Sequence, residues 1–199
     1  MTAKSQETGS ADYRKWIIPA AIVFAILLFA LYVMGTYNDL VSSQVAIDTA
    51  WGQVQSVYQR RVDLIPNLVA TVQGAANFEK STLLAVTEAR TQWLNAKTSQ
   101  EQVVAANQLE GTIAKLLFTV ESYPQLKSSQ NFLALQDELA GTENRINVER
   151  QRYNQAVGNY NAKIRYFPGS IMASLFHFEK REFFQAQKGA ENVPKVSFQ

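Results

Sequence analysis

Trp16-Ile-Ile-Pro-Ala-Ala-Ile-Val-Phe-Ala-Ile-Leu-Leu-Phe-Ala-Leu-Tyr-Val-Met34 lies inside a run of 23 residues, between Lys15 and Asp39, that carries no charge. A helix needs roughly 20 apolar residues, at about 1.5 Å each, to cross a hydrocarbon core of about 30 Å. This run has that length. Trp16, Tyr32 and Tyr37 stand near its ends, where amphipathic rings suit the two headgroup layers. Pro19 falls in the first turn, where its missing N–H costs least. The stretch therefore reads as a transmembrane helix over residues 16–37. A secretory signal would have a shorter core followed by a small-x-small cleavage site, and Tyr32-Val33-Met34-Gly35-Thr36 offers none. A lipoprotein would need a cysteine after the run, and the chain has no cysteine.

The flanks set the orientation. Lys4, Arg14 and Lys15 precede the span, and no Lys or Arg follows it until Arg60. By the positive-inside rule residues 1–15 form a short cytoplasmic tail and the bulk of the chain lies on the other side. With 19 Lys and Arg against 17 Asp and Glu, the surface is nearly balanced. That gives no electrostatic case for nucleic acid. With no cysteine and His177 as the sole histidine, the usual zinc, iron–sulfur and thiol chemistries lack ligands. The expectation is that no metal or cofactor is held.

Beyond the span, apolar residues recur at helical spacing. One stripe runs Leu40, Ile47, Trp51, Val54, Tyr58, Ile65, Val69, Val72. A second, Phe132, Leu139, Ile146, Tyr153, Tyr160 and Phe167, keeps a strict seven-residue repeat, which makes a seam that must pack on another helix. Between them, shorter helices are expected over residues 80–97 and 99–120. Thr98 or Ser99 would cap the latter, with Glu101 and Gln102 following. Tyr123-Pro124 ends that helix, because a residue before proline resists helical dihedrals. Ser128 or Ser129 caps the last long helix, which ends at Phe167-Pro168-Gly169. No alternating strand pattern and no Asn-Gly or Asp-Gly hairpin occurs. The fold class is all-α: the span, then an elongated antiparallel bundle of two long and two shorter helices over 38–167, then an aromatic-rich segment and polar tail over 168–199.

Helix lengths imply two storeys. A first helix over 36–73 and a last over 129–166 should each be roughly 55 Å long, with the middle pair roughly 27 and 36 Å. The last helix then returns near the membrane, where only the first and last run side by side. Two helices cannot fully bury Trp51, Val54, Tyr153 and Tyr160, so this seam is expected to self-associate or dock a partner.

The most distinctive stretch is Gln59-Arg60-Arg61-Val62-Asp63-Leu64-Ile65-Pro66-Asn67-Leu68-Val69. Interior proline costs roughly 3 kcal/mol by removing a hydrogen bond and clashing with the preceding turn. The helix must kink or restart at Pro66, because the amphipathic spacing continues through Ile65, Val69 and Val72. Arg60, Arg61 and Asp63 make the bend either a docking corner or a structural one with Arg–Asp pairs over its backbone.

At this stretch the chain resembles LemA family proteins. Asn38-Asp-Leu-Val41, Ala50-Trp51, Gln59 to Val69, Gly74, Glu79 and Glu88-Ala-Arg90 stand in that family's order and spacing. Tyr153-Asn154, Tyr160-Asn161, Phe167-Pro168 and the aromatics Phe176, Phe178, Phe183 and Phe184 continue the match. The resemblance implies a bacterial membrane protein with one N-terminal span and a long helical bundle, and it implies no reaction. Where members often carry Lys-Gly-Tyr-Ala and later His-Glu, this chain has Gln73-Gly74-Ala75-Ala76 and Phe78-Glu79.

Other candidates are thinner. His177, between Phe176 and Phe178, has no acidic or thiol cluster beside it. Glu143 and Glu149, six apart, do not share a helix face. No Gly-x-Ser-x-Gly elbow or phosphate-cradling glycine loop is present. Residues 164–184, dense in aromatics and edged by Lys163, Arg165, Lys180 and Arg181, either lie in the headgroup layer or fold back over the stalk seam. The tail from Ala186 is polar and expected to be mobile.

The sequence thus predicts a non-enzymatic scaffold of the LemA type in the bacterial inner membrane. It would contact the bilayer and either self-associate or dock an envelope partner. Arg60, Arg61, Asp63, Pro66, Tyr153, Tyr160, Phe176 and Phe178 are its candidate interaction or structural residues. The alternative is an extracytoplasmic sensor binding a small ligand in the four-helix part.

Overall fold

The apolar run and the first bundle helix are one element. In the computed structural model, which describes residues 14–74 and 78–184, α1 runs unbroken over Arg14–Gln73, 60 residues that include both Pro19 and Pro66. At 1.5 Å per residue this is a post of about 90 Å. In its most apolar window no residue is buried, so that surface is free to face lipid. It is the one helix among the described residues long and apolar enough to cross a membrane.

Three further long helices follow: α2 (Lys80–Asn95), α3 (Ser99–Val120) and α5 (Gln130–Lys163). The short α4 (Pro124–Lys127) and α6 (Gly169–Phe176) were not foreseen as helices. No strand occurs among the described residues. The caps follow local chemistry. Thr98 accepts from the Glu101 amide while Glu101 accepts from the Thr98 amide, a reciprocal capping box at the start of α3. The backbone N–H groups of Lys97 and Thr98 hold the Glu101 carboxyl below its usual range. Ser129 caps α5 by accepting from Phe132.

The core is a column along α1. Leu40, Ile47, Val54, Tyr58, Ile65, Leu68 and Val72 are buried there, facing Phe132, Leu139, Ile146, Val157 and Tyr160 of α5. Leu83, Val86 and Trp93 of α2 with Leu109, Ile113 and Leu116 of α3 complete the upper storey. The arithmetic of lengths holds at the lower end. Lys163 Nζ lies 2.6 Å from Asp39 Oδ1, so the end of α5 has returned to the level where α1 leaves its uncharged run.

Two expectations need correction. Helix α5 stops at Lys163, so Phe167 drops out of the seven-residue repeat and is 77% exposed. The seam is also not wet: Tyr160 is fully buried and Tyr153 nearly so. The reason is a third layer. After α6 the chain turns at His177, in the left-handed region at φ 59°, and residues 178–184 run back along α5 as an extended strap. Residues 1–13 and the polar tail from Ala186 lie outside the described residues.

Candidate functional site

Charge is buried where the bundle is thickest. Arg61 comes seven residues after Val54 and seven before Leu68, so it occupies a core position, and it is only 4% exposed. Its Nη2 lies 2.5 Å from Glu143 of α5 and its Nη1 3.9 Å from Glu110 of α3. Arg150 of α5 meets the same Glu110 at 2.5 Å and also donates to the Tyr58 hydroxyl, which itself donates to Glu110. Two cations and two anions thus neutralise one another across three helices. Burial, reinforced by the Glu110 carboxylate, holds the Tyr58 phenol protonated far above the usual tyrosine range. Arg61 Nε and Nη1 and Arg150 Nε have no hydrogen-bond partner among the described residues. Such a layer is a poor source of net stability, but it fixes which helix faces which.

Pro66 is reconciled with an unbroken helix by a side chain from elsewhere. Proline lacks the N–H that would bond the carbonyl four residues back, so the Val62 carbonyl is left without its helical donor. Arg90 of α2 supplies one: its Nε donates to the Val62 oxygen at 3.2 Å. The Arg–Asp cover expected at the bend does not form. Asp63 instead accepts from Gln59, and Arg60, Asp63 and Pro66 are exposed. Arg90→Met should cost about 1–3 kcal/mol, the range for leaving a buried acceptor unpaired. In a Pro66→Ala background the helix regains its own donor, and the same change should fall to within about 0.5 kcal/mol of neutral. A double-mutant cycle on denaturant midpoints measures the difference, and equal costs in both backgrounds would sever Arg90 from the proline.

The strap is held by a Tyr-Asn pair that recurs every seven residues of α5. The Tyr160 hydroxyl donates to the Glu179 carbonyl and that of Tyr153 to the Glu182 carbonyl. The Asn161 side chain donates to the Arg181 carbonyl and accepts from the Arg181 amide, and Asn154 does the same with Phe184. Each amide group thereby serves both polar groups of one residue, as a neighbouring strand would. The register follows from two rises. Seven helical residues advance about 10.5 Å and three extended residues about 10 Å, so each heptad matches three strap residues. Phe184 closes the top, with the Arg150 guanidinium 4.2 Å from its ring centre and Tyr58 and Trp51 beside it. Burial raises the Tyr153 phenol. Between strap and α3 lies an open groove of about 480 Å³, whose walls include Gln44, Val103, His177, Glu179 and Arg181.

The candidate residues therefore separate. Arg61, Tyr153 and Tyr160 are internal, Arg61 in the ionic layer and the tyrosines under the strap. Phe176 and Phe178 pack edge-on against Tyr37 at 5.0 and 5.6 Å, where the span meets the bundle. His177 is exposed and serves as the turn residue. Among the described residues no three His, Cys, Asp or Glu side chains gather as metal ligands would. Glu110 and Arg150 were missed as a set, and the charged residue at the Arg61 heptad position was the available signal for them.

One apolar helix that continues into an antiparallel bundle, closed by its own C-terminal strap, defines a membrane-associated helical-bundle protein. The chain belongs to the LemA family, whose family model matches residues 50–198. It is 28% identical over 171 residues to "Protein LemA" of Metamycoplasma hominis, covering 84% of this chain and 78% of that one. It is 26% identical over 201 residues to "Magnetosome protein MamQ 2" of Paramagnetospirillum magneticum, covering 88% and 74%. "Magnetosome protein MamQ" of Magnetospirillum gryphiswaldense is 24% identical, covering 89% and 75%.

Proposed function

We propose that this chain is a non-enzymatic scaffold anchored in the bacterial inner membrane, with its N-terminus in the cytoplasm and its bundle outside. The observation that carries this is α1 itself, a continuous 60-residue helix joining the apolar run to the bundle tip. A helix of that kind holds a surface at a fixed height. The ionic layer supports the same reading, since Arg61, Glu110 and Arg150 spend their charges on one another and on the half-exposed Glu143. Lys4, Arg14 and Lys15 before the span support the orientation.

With the seam closed by the strap, docking falls to the distal outer face. Phe118 on α3 is 76% exposed there, with Leu84 on α2 also exposed. Single exposed apolar residues are ordinary on protein surfaces, so the docking reading depends on whether these positions touch something. A photo-crosslinking residue in place of Phe118 or Leu84, irradiated in intact membranes, should give discrete adducts with a second copy or another envelope protein. Adducts at neither position would overturn the scaffold. The sensor reading puts its ligand in the four-helix part; the 480 Å³ groove beside the strap has a volume within the range of ligand sites, but charges of both signs, such as Glu179 and Arg181, line it.

A further inference from the structure

We propose that α6, with the Tyr166-Phe167 turn before it, is a second membrane contact, seated in the headgroup layer beside the emerging span. This rests on the reading of residues 16–37 as the span. The Lys163–Asp39 ion pair, with Lys163 also donating to Ser43, marks the level at which charge begins on α1. Helix α6 then lies on the bilayer side of that level. Phe176 packs on Tyr37 and lines one open apolar pocket together with Phe29, Ala30, Val33 and Met34, all within the uncharged run. Val33 is six residues, about 9 Å, below Asp39.

The position of α6 is fixed by the backbone. A Cβ on Gly169 would overlap the Lys163 carbonyl oxygen, so only glycine lets α6 start this close to the end of α5. Met172 faces inward, buried. The adjoining face carries Ile171 and Leu175, one helical turn apart, and Phe167 stands in the turn just before the helix. Ile171, Leu175 and Phe167 are 53%, 63% and 77% exposed, an apolar ridge that the described residues leave uncovered. Helix α6 carries no charge over Gly169–Phe176, while Lys163 and Arg165 precede it and Glu179, Lys180, Arg181 and Glu182 follow it. An uncharged apolar ridge edged by charged residues suits the boundary between acyl chains and headgroups. Its occupant is lipid, because the ridge continues the surface of a span that already meets lipid.

The absence of cysteine makes the test direct. Single cysteines at Ile171 and Leu175, with Phe24→Cys in the span and Glu138→Cys in the bundle as references, are spin-labelled in the full chain. The chains are reconstituted in vesicles of phosphatidylcholine with a minority of phosphatidylglycerol. Collision with oxygen and with a water-soluble nickel chelate then reports depth. Labels at Ile171 and Leu175 should favour oxygen as the Phe24 label does, at about 5–10 Å below the phosphates. Accessibility to nickel like that of Glu138, with Phe24 still lipid-facing, overturns this contact and leaves the span. Immobile labels shielded from both reagents mean a protein covers the ridge, and also overturn it. A nickel-accessible Phe24 removes the span and this contact together.

Discussion

Arg150→Ala should be the most damaging single change in the bundle, lowering its stability by about 3–5 kcal/mol, the range for removing one partner of a buried ion pair. Three losses coincide. Glu110 loses its 2.5 Å partner and keeps Arg61 only at 3.9 Å. Tyr58 loses a donor, and Phe184 loses the guanidinium over its ring. Arg150→Lys should rescue poorly, since a point charge cannot stack on Phe184 and pair with Glu110 together. Arg150→Met combined with Glu110→Leu should cost much less than either alone, because no charge is then left uncompensated. Trp93 packs 4.7 Å from Tyr58, so its fluorescence follows unfolding in detergent. A loss under about 1 kcal/mol for Arg150→Ala would reduce the layer to a surface-like pair.

Asn154→Ala with Asn161→Ala should release the strap. Four hydrogen bonds are lost, together worth about 2–4 kcal/mol at the usual net contribution. The larger consequence is uncovering. Tyr153, Tyr160 and the Trp51 edge would then form the half-wet two-helix seam that the wild type avoids. Sedimentation should show the double variant associating at concentrations where wild type does not. Unchanged association would mean the seam is protected by something other than the strap.

Much of the architecture was legible because it is local. The uncharged run, the Thr98–Glu101 box, the stop before Pro124 and the heptads of α5 each declare themselves within one or two turns. The return of α5 to the level of Asp39 followed from lengths alone. The strap was not legible. Tyr153-Asn154 and Tyr160-Asn161 are visible as a repeat, but their partners lie about twenty to thirty residues on and are mostly carbonyls and amides, which every residue has. Of the two readings open for residues 164–184, folding back over the seam holds for 178–184. Arg90 could not be matched to Pro66 for a similar reason: sequence shows that the Val62 carbonyl lacks a donor, not which helix delivers one. Arg61 was legible in principle, as the one charge in the sevenfold series Leu40, Ile47, Val54, Arg61, Leu68.

That the chain closes its own α1–α5 seam is tested most directly by amide hydrogen exchange on the full-length protein in lipid nanodiscs. The Arg181 and Phe184 amides, bound by Asn161 and Asn154, should exchange far more slowly than those of exposed backbone. They should lose that protection in the Asn154→Ala, Asn161→Ala variant while the α5 amides keep theirs. Exchange of Arg181 and Phe184 at the rate of a free peptide in the wild type would contradict the closed seam.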